Sequence, residues 1–191
     1  MPKNLRRMRI TGGTLRGRIL KTHGFQNIRP TTDRARETIY NIALNYCDFT
    51  DKSTLDLCAG TGALSFEALS RGGSLAVMVE RNRHNCALLT EMAVLLQLQE
   101  RVKILCADAR NVFPQLALAQ FHCVFADPPY AARMLTVLFS RLAQANICAP
   151  ECLFIAEHDK NEVVRIPDGW EKLTERRFGD TVVEFFCLVG F

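Results

Sequence analysis

Four places in this 191-residue sequence put a short apolar run directly before residues able to hold a ligand. Thr54–Cys58 runs into Ala59-Gly60-Thr61-Gly62, Leu75–Val79 into Glu80, Val102–Cys106 into Asp108, and His122–Ala126 into Asp127-Pro128-Pro129-Tyr130. The last group suggests the most specific chemistry. Two prolines fix an extended backbone and delete two N–H donors, which leaves carbonyl oxygens to project from the chain. An Asp carboxylate, a carbonyl and an aromatic face together make a receptor for a planar ring bearing an exocyclic amine. The amine donates to Asp127 and to the Pro128 carbonyl, and Tyr130 stacks on the ring. Held through both N–H bonds, the nitrogen is drawn toward tetrahedral geometry with its lone pair exposed. The competing reading is a plain Pro-Pro turn with Asp127 capping the next helix.

The glycine turn takes a different partner. A dinucleotide site needs G-x-G-x-x-G, so that pyrophosphate can sit at the helix start. Here Gly60 and Gly62 are followed by Ser65 where the third glycine belongs. Glu80 suits a ribose diol and Asp108 an adenine amino group. Together with the turn they describe a nucleoside cofactor with no required phosphate, such as S-adenosylmethionine. Taken alone, the turn also fits a structural tight turn, and Glu80 a surface acid at a strand end.

In an open α/β sheet, ligands bind off the carboxyl ends of the strands. The pattern between the motifs supplies such a sheet. Strands are expected at Thr54–Cys58, Leu75–Val79, Val102–Cys106, His122–Ala126 and Cys152–Glu157. Helices are expected at Ala63–Arg71, Asn82–Leu98, Ala109–Leu118 (interrupted by Pro114) and Ala131–Asn146. Ala87, Leu88, Glu91, Leu95 and Leu98 set the phase of the long helix. Short apolar strands alternating with helices predict a doubly wound, mostly parallel sheet. Trp170–Phe178 and Thr181–Leu188 meet at Gly179-Asp180 with no helix between, so an antiparallel hairpin closes the sheet.

Two smaller units precede this core. Arg9–Lys21 reads as a β-hairpin, its flanks alternating and its glycines supplying the turn. A helix opens after Arg29-Pro30, with Thr31 or Thr32 as N-cap and Ile39, Ile42, Ala43 and Tyr46 as its apolar face. The expected division is residues 1–30 as a basic arm with its hairpin, and residues 31–191 as the α/β domain.

Composition agrees with one such domain. Residues 1–36 carry ten Lys/Arg and one acid, +9, while the whole chain is only +4, so the remainder is −5. A basic front on a mildly acidic body implies a polyanionic partner met by the N-terminal part. The eight cysteines form no C-x-x-C pair, which favours reduced thiols packed as small hydrophobes and no metal. No apolar run has the length of a membrane helix, and a cytoplasmic protein without membrane contact is expected.

On the residues quoted so far, the chain resembles the amino methyltransferases that use S-adenosylmethionine. The match narrows with Arg16-Gly17-Arg18, Arg29-Pro30-Thr31, Asp33-Arg34, Arg36-Glu37 and Phe178-Gly179-Asp180-Thr181. With these it is similar to the RsmD family, which methylates the exocyclic N2 of a guanine in 16S ribosomal RNA. The resemblance implies a seven-stranded, Rossmann-like class I methyltransferase sheet. It implies that Asp56, Gly60 and Gly62 wrap the methionine part of the cofactor, with Cys58, Ala59 and Arg81 beside it. Glu80 would hold the ribose hydroxyls, and Asp108 with the Ala109 backbone would face the adenine. Asp127, Pro128, Pro129 and Tyr130 would hold the guanine, with Asp127 also bordering the cofactor. Arg9, Arg16, Arg18, Arg29, Thr31, Arg34 and Arg36 would contact RNA. The implied partner is 16S ribosomal RNA within an assembling small-subunit particle, met by a monomer. The alternatives are a DNA or other RNA adenine-N6 methyltransferase, a non-catalytic RNA-binding module and, with its third glycine missing, a nicotinamide dehydrogenase.

Overall fold

A computed structural model describes residues 8–26, 32–116, 119–129 and 134–189. Seven strands form one sheet: β3 Ser53–Asp56, β4 Leu75–Glu80, β5 Val102–Cys106, β6 Phe121–Ala126, β7 Cys148–Asp159, β8 Trp170–Phe178 and β9 Thr181–Leu188. Their spatial order is β5-β4-β3-β6-β7-β9-β8. The first five run parallel, and β9 pairs antiparallel with both β7 and β8, as the alternation and the closing hairpin predict. The order reverses between β3 and β6, so the two motifs richest in chemistry leave neighbouring strands at the switch point.

Period-two alternation decides which side chains meet which helices. Leu55, Val77, Val124, Ala126, Phe154 and Phe186 face the helix α4, Leu135–Gln144, in one apolar cluster. Phe139 at its centre lies 4.5 Å from Phe154 and 5.2 Å from Trp170, centroid to centroid. On the opposite face, Cys123, Phe125, Leu153, Ile155 and Phe185 meet α1, Asp33–Ala43, through Ile39, Tyr40 and Ala43. Ala76 and Met78 there meet α2, Ala63–Ser70, and α3, Arg83–Leu95.

The small hairpin, β1 Met8–Arg9 and β2 Ile19–Leu20, packs on this same face. Its Met8, Ile10 and Leu20 are buried with Phe66, Leu89 and Met92. Its turn is tied to the end of α2: Thr14 N donates to Ser70 O at 2.7 Å, and Leu15 N to Ser70 Oγ at 2.9 Å. Gly13 allows this approach, since a Cβ there would lie 1.9 Å from Ser70 O at a φ of +75°.

Several expectations need correction. Residues 109–116 form two short 3-10 turns, Ala109–Asn111 and Phe113–Leu116, in place of one helix. Asp108 caps the first, and Pro114 forbids continuous i→i+4 bonding. The α3 face is Cys86, Leu89, Met92 and Ala93, while Ala87, Glu91 and Leu95 are exposed. That helix carries apolar side chains on most of its circumference, so its sequence supports more than one stripe. Tyr46 lies beyond α1 and is exposed, and Tyr40 takes its place in the core, donating to Leu64 O at 2.5 Å. β7 begins four residues before Cys152. All eight cysteines are free, but only Cys86, Cys123, Cys148 and Cys152 are buried, and Cys106 is exposed.

Candidate active site

A cavity of about 300 Å³ opens at the carboxyl ends of β3, β4, β5 and β6. Asp56, Cys58, Ala59, Gly60, Glu80, Arg81, Asp108, Ala109, Asp127, Pro128 and Pro129 all line it. Residues scattered over 74 positions of sequence thus share one edge, because parallel strands end side by side.

The glycine turn and Glu80 are joined directly. Gly60 N donates to Glu80 Oε2 at 3.2 Å, and Asn82 N to Oε1 at 2.8 Å. Each carboxylate oxygen has one backbone donor, which fixes the group and leaves further acceptor capacity toward the cavity. Gly62 does not border the cavity. It is the N-cap of α2 at a φ of 72°, and a Cβ there would come within 2.7 Å of Leu89 and Phe66. The structure shows it in the close packing of the turn against Leu89 of α3 and Phe66 of α2.

Asp56 lies beneath the turn. Cys58 N donates to Oδ1 at 3.3 Å and Ser65 Oγ to Oδ2 at 3.1 Å. Ser65, the residue that spoils the dinucleotide fingerprint, is therefore what holds this acid. Burial pushes the Asp56 carboxyl up to about 7; the two hydrogen bonds oppose this and nearby Glu80 adds to it. The Cys58 thiol is raised well above its usual range by burial, then by Asp56, Asp127, Glu80 and Asp108. One small side chain thus feels all four acids.

Asp108 behaves differently. Arg110 donates to it through Nε at 3.0 Å, Nη2 at 2.6 Å and its backbone N at 2.8 Å. These bonds hold its carboxyl down at about 2, so it is ionised throughout the working range.

The expected RNA contacts divide. Arg9, Arg16, Arg18 and Arg34 are exposed. Arg36 corrects the expectation: its side chain is fully buried, 3.3 Å from Glu67 and 3.0 Å from Asp33, and it also donates to Arg9 O. A guanidinium committed to a buried carboxylate is not on an RNA-facing surface. Arg29, Thr31 and Tyr130 lie outside the described residues.

The cavity also contains residues that motif reading missed. Gln26, Asn82 and Asn85 form its rim, where Gln26 N donates to Asn85 Oδ1 at 3.0 Å and Asn85 Nδ2 returns a bond to Gln26 O at 3.2 Å. No sequence motif marks them. Glu157, in β7 just past its last pairing with β6, is also on the lining. It is an acid directly after the apolar run 152–156, the same signal that marks Glu80 and Asp108. Among the described residues no cluster of His, Cys, Asp and Glu is placed to hold a metal, and no helix is long and apolar enough to cross a membrane.

The family described as conserved hypothetical protein 95 matches residues 8–187. The chain is 31% identical over 180 residues to ribosomal RNA small subunit methyltransferase D of Escherichia coli, covering 94% of this chain and 89% of that protein. The protein of the same name from Haemophilus influenzae is 30% identical over 183 residues, covering 90% and 89%. A solved Escherichia coli structure, whose name places it among the methyltransferases, superposes with a TM-score of 0.82 at 28% identity over 96% of this chain and 98% of that one.

Proposed function

This chain belongs to the family described as conserved hypothetical protein 95, the RsmD family, and we propose from that premise that it methylates ribosomal RNA at a guanine N2 amine. One observation carries the reading: the turn bound to Glu80 and the Asp127-Pro128-Pro129 exit border one cavity from neighbouring strands. A cofactor and a planar amine can meet there. The partner is small-subunit ribosomal RNA, as the names of the relatives suggest, within an assembling particle, and the enzyme acts as a cytoplasmic monomer. Residues 1–30 provide the RNA-facing arm and residues 31–191 the catalytic domain.

The residues present fit S-adenosylmethionine. Glu80 is fixed by two backbone donors in a posture that suits a ribose diol. Asp56 is buried beside the turn, where an ammonium group would draw it into its ionised form. Asp108 and the Ala109 backbone border the part of the cavity assigned to adenine. The cofactor supplies an electrophilic methyl group on a sulfonium. The chain's own contribution is orientation, worth up to roughly 7–11 kcal/mol in favourable systems. Asp127 and the Pro128 carbonyl hold the two N–H bonds of the amine, with Pro129 beside them and Tyr130 assigned to stack on the ring. Asp127 would also offset the positive charge that develops on nitrogen as the N–C bond forms and the S–C bond breaks, the thioether leaving neutral and the surplus amine proton passing to water. The base must leave its stack to enter.

The test is transfer from labelled S-adenosylmethionine to small-subunit particles or RNA from a strain lacking the activity, followed by digestion to nucleosides. N2-methylguanosine at one position is expected. Label in N6-methyladenosine or in DNA would replace the substrate assignment, and no label in any nucleic acid would remove the reading.

A further inference from the structure

The cavity has an acid that the mechanism above does not use. Ala126 of β6 lies opposite Ala156 of β7, so Asp127, the first residue past β6, comes beside Glu157, which continues in β7 opposite Val183 of β9. Their parity also agrees. Asp127 follows Cys123 and Phe125, and Glu157 follows Leu153 and Ile155, all four on the face that meets α1. Alternation therefore directs both side chains to that face, strands about 4.8 Å apart. Both line the cavity. The next residue, His158, turns the other way and lies 3.2 Å from Glu184.

Two neighbouring carboxylates match one base edge better than the others. Guanine presents its N2 amine beside N1–H, so both neighbouring groups are donors. Adenine and cytosine present their amines beside a ring nitrogen that accepts. An ionised carboxylate only accepts. It binds N1–H and repels an acceptor lone pair. Its two oxygens offer about four acceptor positions, so it can hold a protein partner and a base edge together. We propose that Glu157 is the specificity residue: it accepts from guanine N1–H while Asp127 holds the N2 amine. This rests on the guanine-N2 reading and explains how one amino-methylase exit motif can be made selective for that base.

The test compares RNA carrying guanosine or 2-aminopurine riboside at the mapped target position. 2-Aminopurine keeps the 2-amine but has an acceptor at N1. Wild-type protein should prefer guanosine by roughly ten- to a hundredfold in kcat/KM. Glu157→Gln, whose amide can donate as well as accept, should reduce that ratio at least severalfold. The ratio is internal to each preparation, so a loss of folded protein does not affect it. Equal wild-type rates on the two bases, or a ratio unchanged in Glu157→Gln, would overturn the proposal even if N2-methylguanosine is the product. Absence of N2-methylguanosine from the wild-type reaction would instead remove the reading beneath it.

Discussion

Glu67 and Glu80 are acids on adjoining elements, α2 and β4, and they are used in opposite ways. Glu67 is fully buried and saturated by its own chain. Thr11 N and Oγ1, Gly12 N, Arg36 and Arg71 all donate to it, at 2.7 to 3.3 Å. It ties the hairpin, α1 and α2 into one body. Glu80 takes one backbone donor on each oxygen and faces a cavity. The contrast separates two meanings of a carboxylate in a core: one satisfied by the protein holds the fold, and one fixed but facing open space is prepared for a ligand.

The contrast is most severely tested at Glu67. Glu67→Ala leaves the Arg36 guanidinium buried without its main counter-charge, and should destabilise the fold by about 3–5 kcal/mol. Thermal and denaturant unfolding check this, and a loss below about 1 kcal/mol would mean that Glu67 is no hub. Glu80→Ala should do the reverse. It should leave the melting temperature nearly unchanged and weaken S-adenosylmethionine binding by roughly ten- to a hundredfold, read by calorimetry. Equal affinity would remove the ribose assignment.

Asp56 sharpens the same comparison through pH. Its folded carboxyl sits at about 7, above the ordinary 3.8, so the folded state binds the extra proton between those values. Stability from this group is therefore present on the acid side and is lost as pH rises through about 7. A cationic ligand beside it reverses the preference. Cofactor affinity should rise from pH 5.5 to 7.5 with proton release, and Asp56→Asn should flatten that profile; a slope retained in the variant would assign the proton elsewhere.

The smallest effects are expected at the surface arginines. Replacing Arg16, Arg18 and Arg34 by Gln should lower the salt dependence of RNA binding by about 0.7–0.9 in log–log slope per lost phosphate contact, with the fold intact. Arg36→Gln should instead cost stability, because it is buried against Glu67 and also holds Asp33 and Arg9 O.

Much of this was legible in the chain because parallel strands buried on both faces must be short and apolar, and because ligands gather where they end. That rule located Glu80, Asp108 and Asp127, and it reaches Glu157 when carried one strand further. What it missed has physical causes. Arg36 looks like its exposed neighbour Arg34, and its buried position beside Asp33 depends also on Glu67 and Arg9 O, partners distant in sequence. Gln26 and Asn85 reach the cavity rim through a tertiary hydrogen-bond pair. The phase of α3 was ambiguous because Leu88, Val94 and Leu95 enlarge its apolar circumference, and the 3-10 turns after Asp108 replace a helix that local periodicity alone suggested.

The central claim is that cofactor and amine are held by separate halves of one cavity. Asp127→Ala, with S-adenosylmethionine affinity and methyl transfer measured on one preparation, tests it most directly. Affinity should change by less than about threefold while transfer falls at least about a hundredfold. Turnover equal to wild type, or the two quantities falling together, would contradict it.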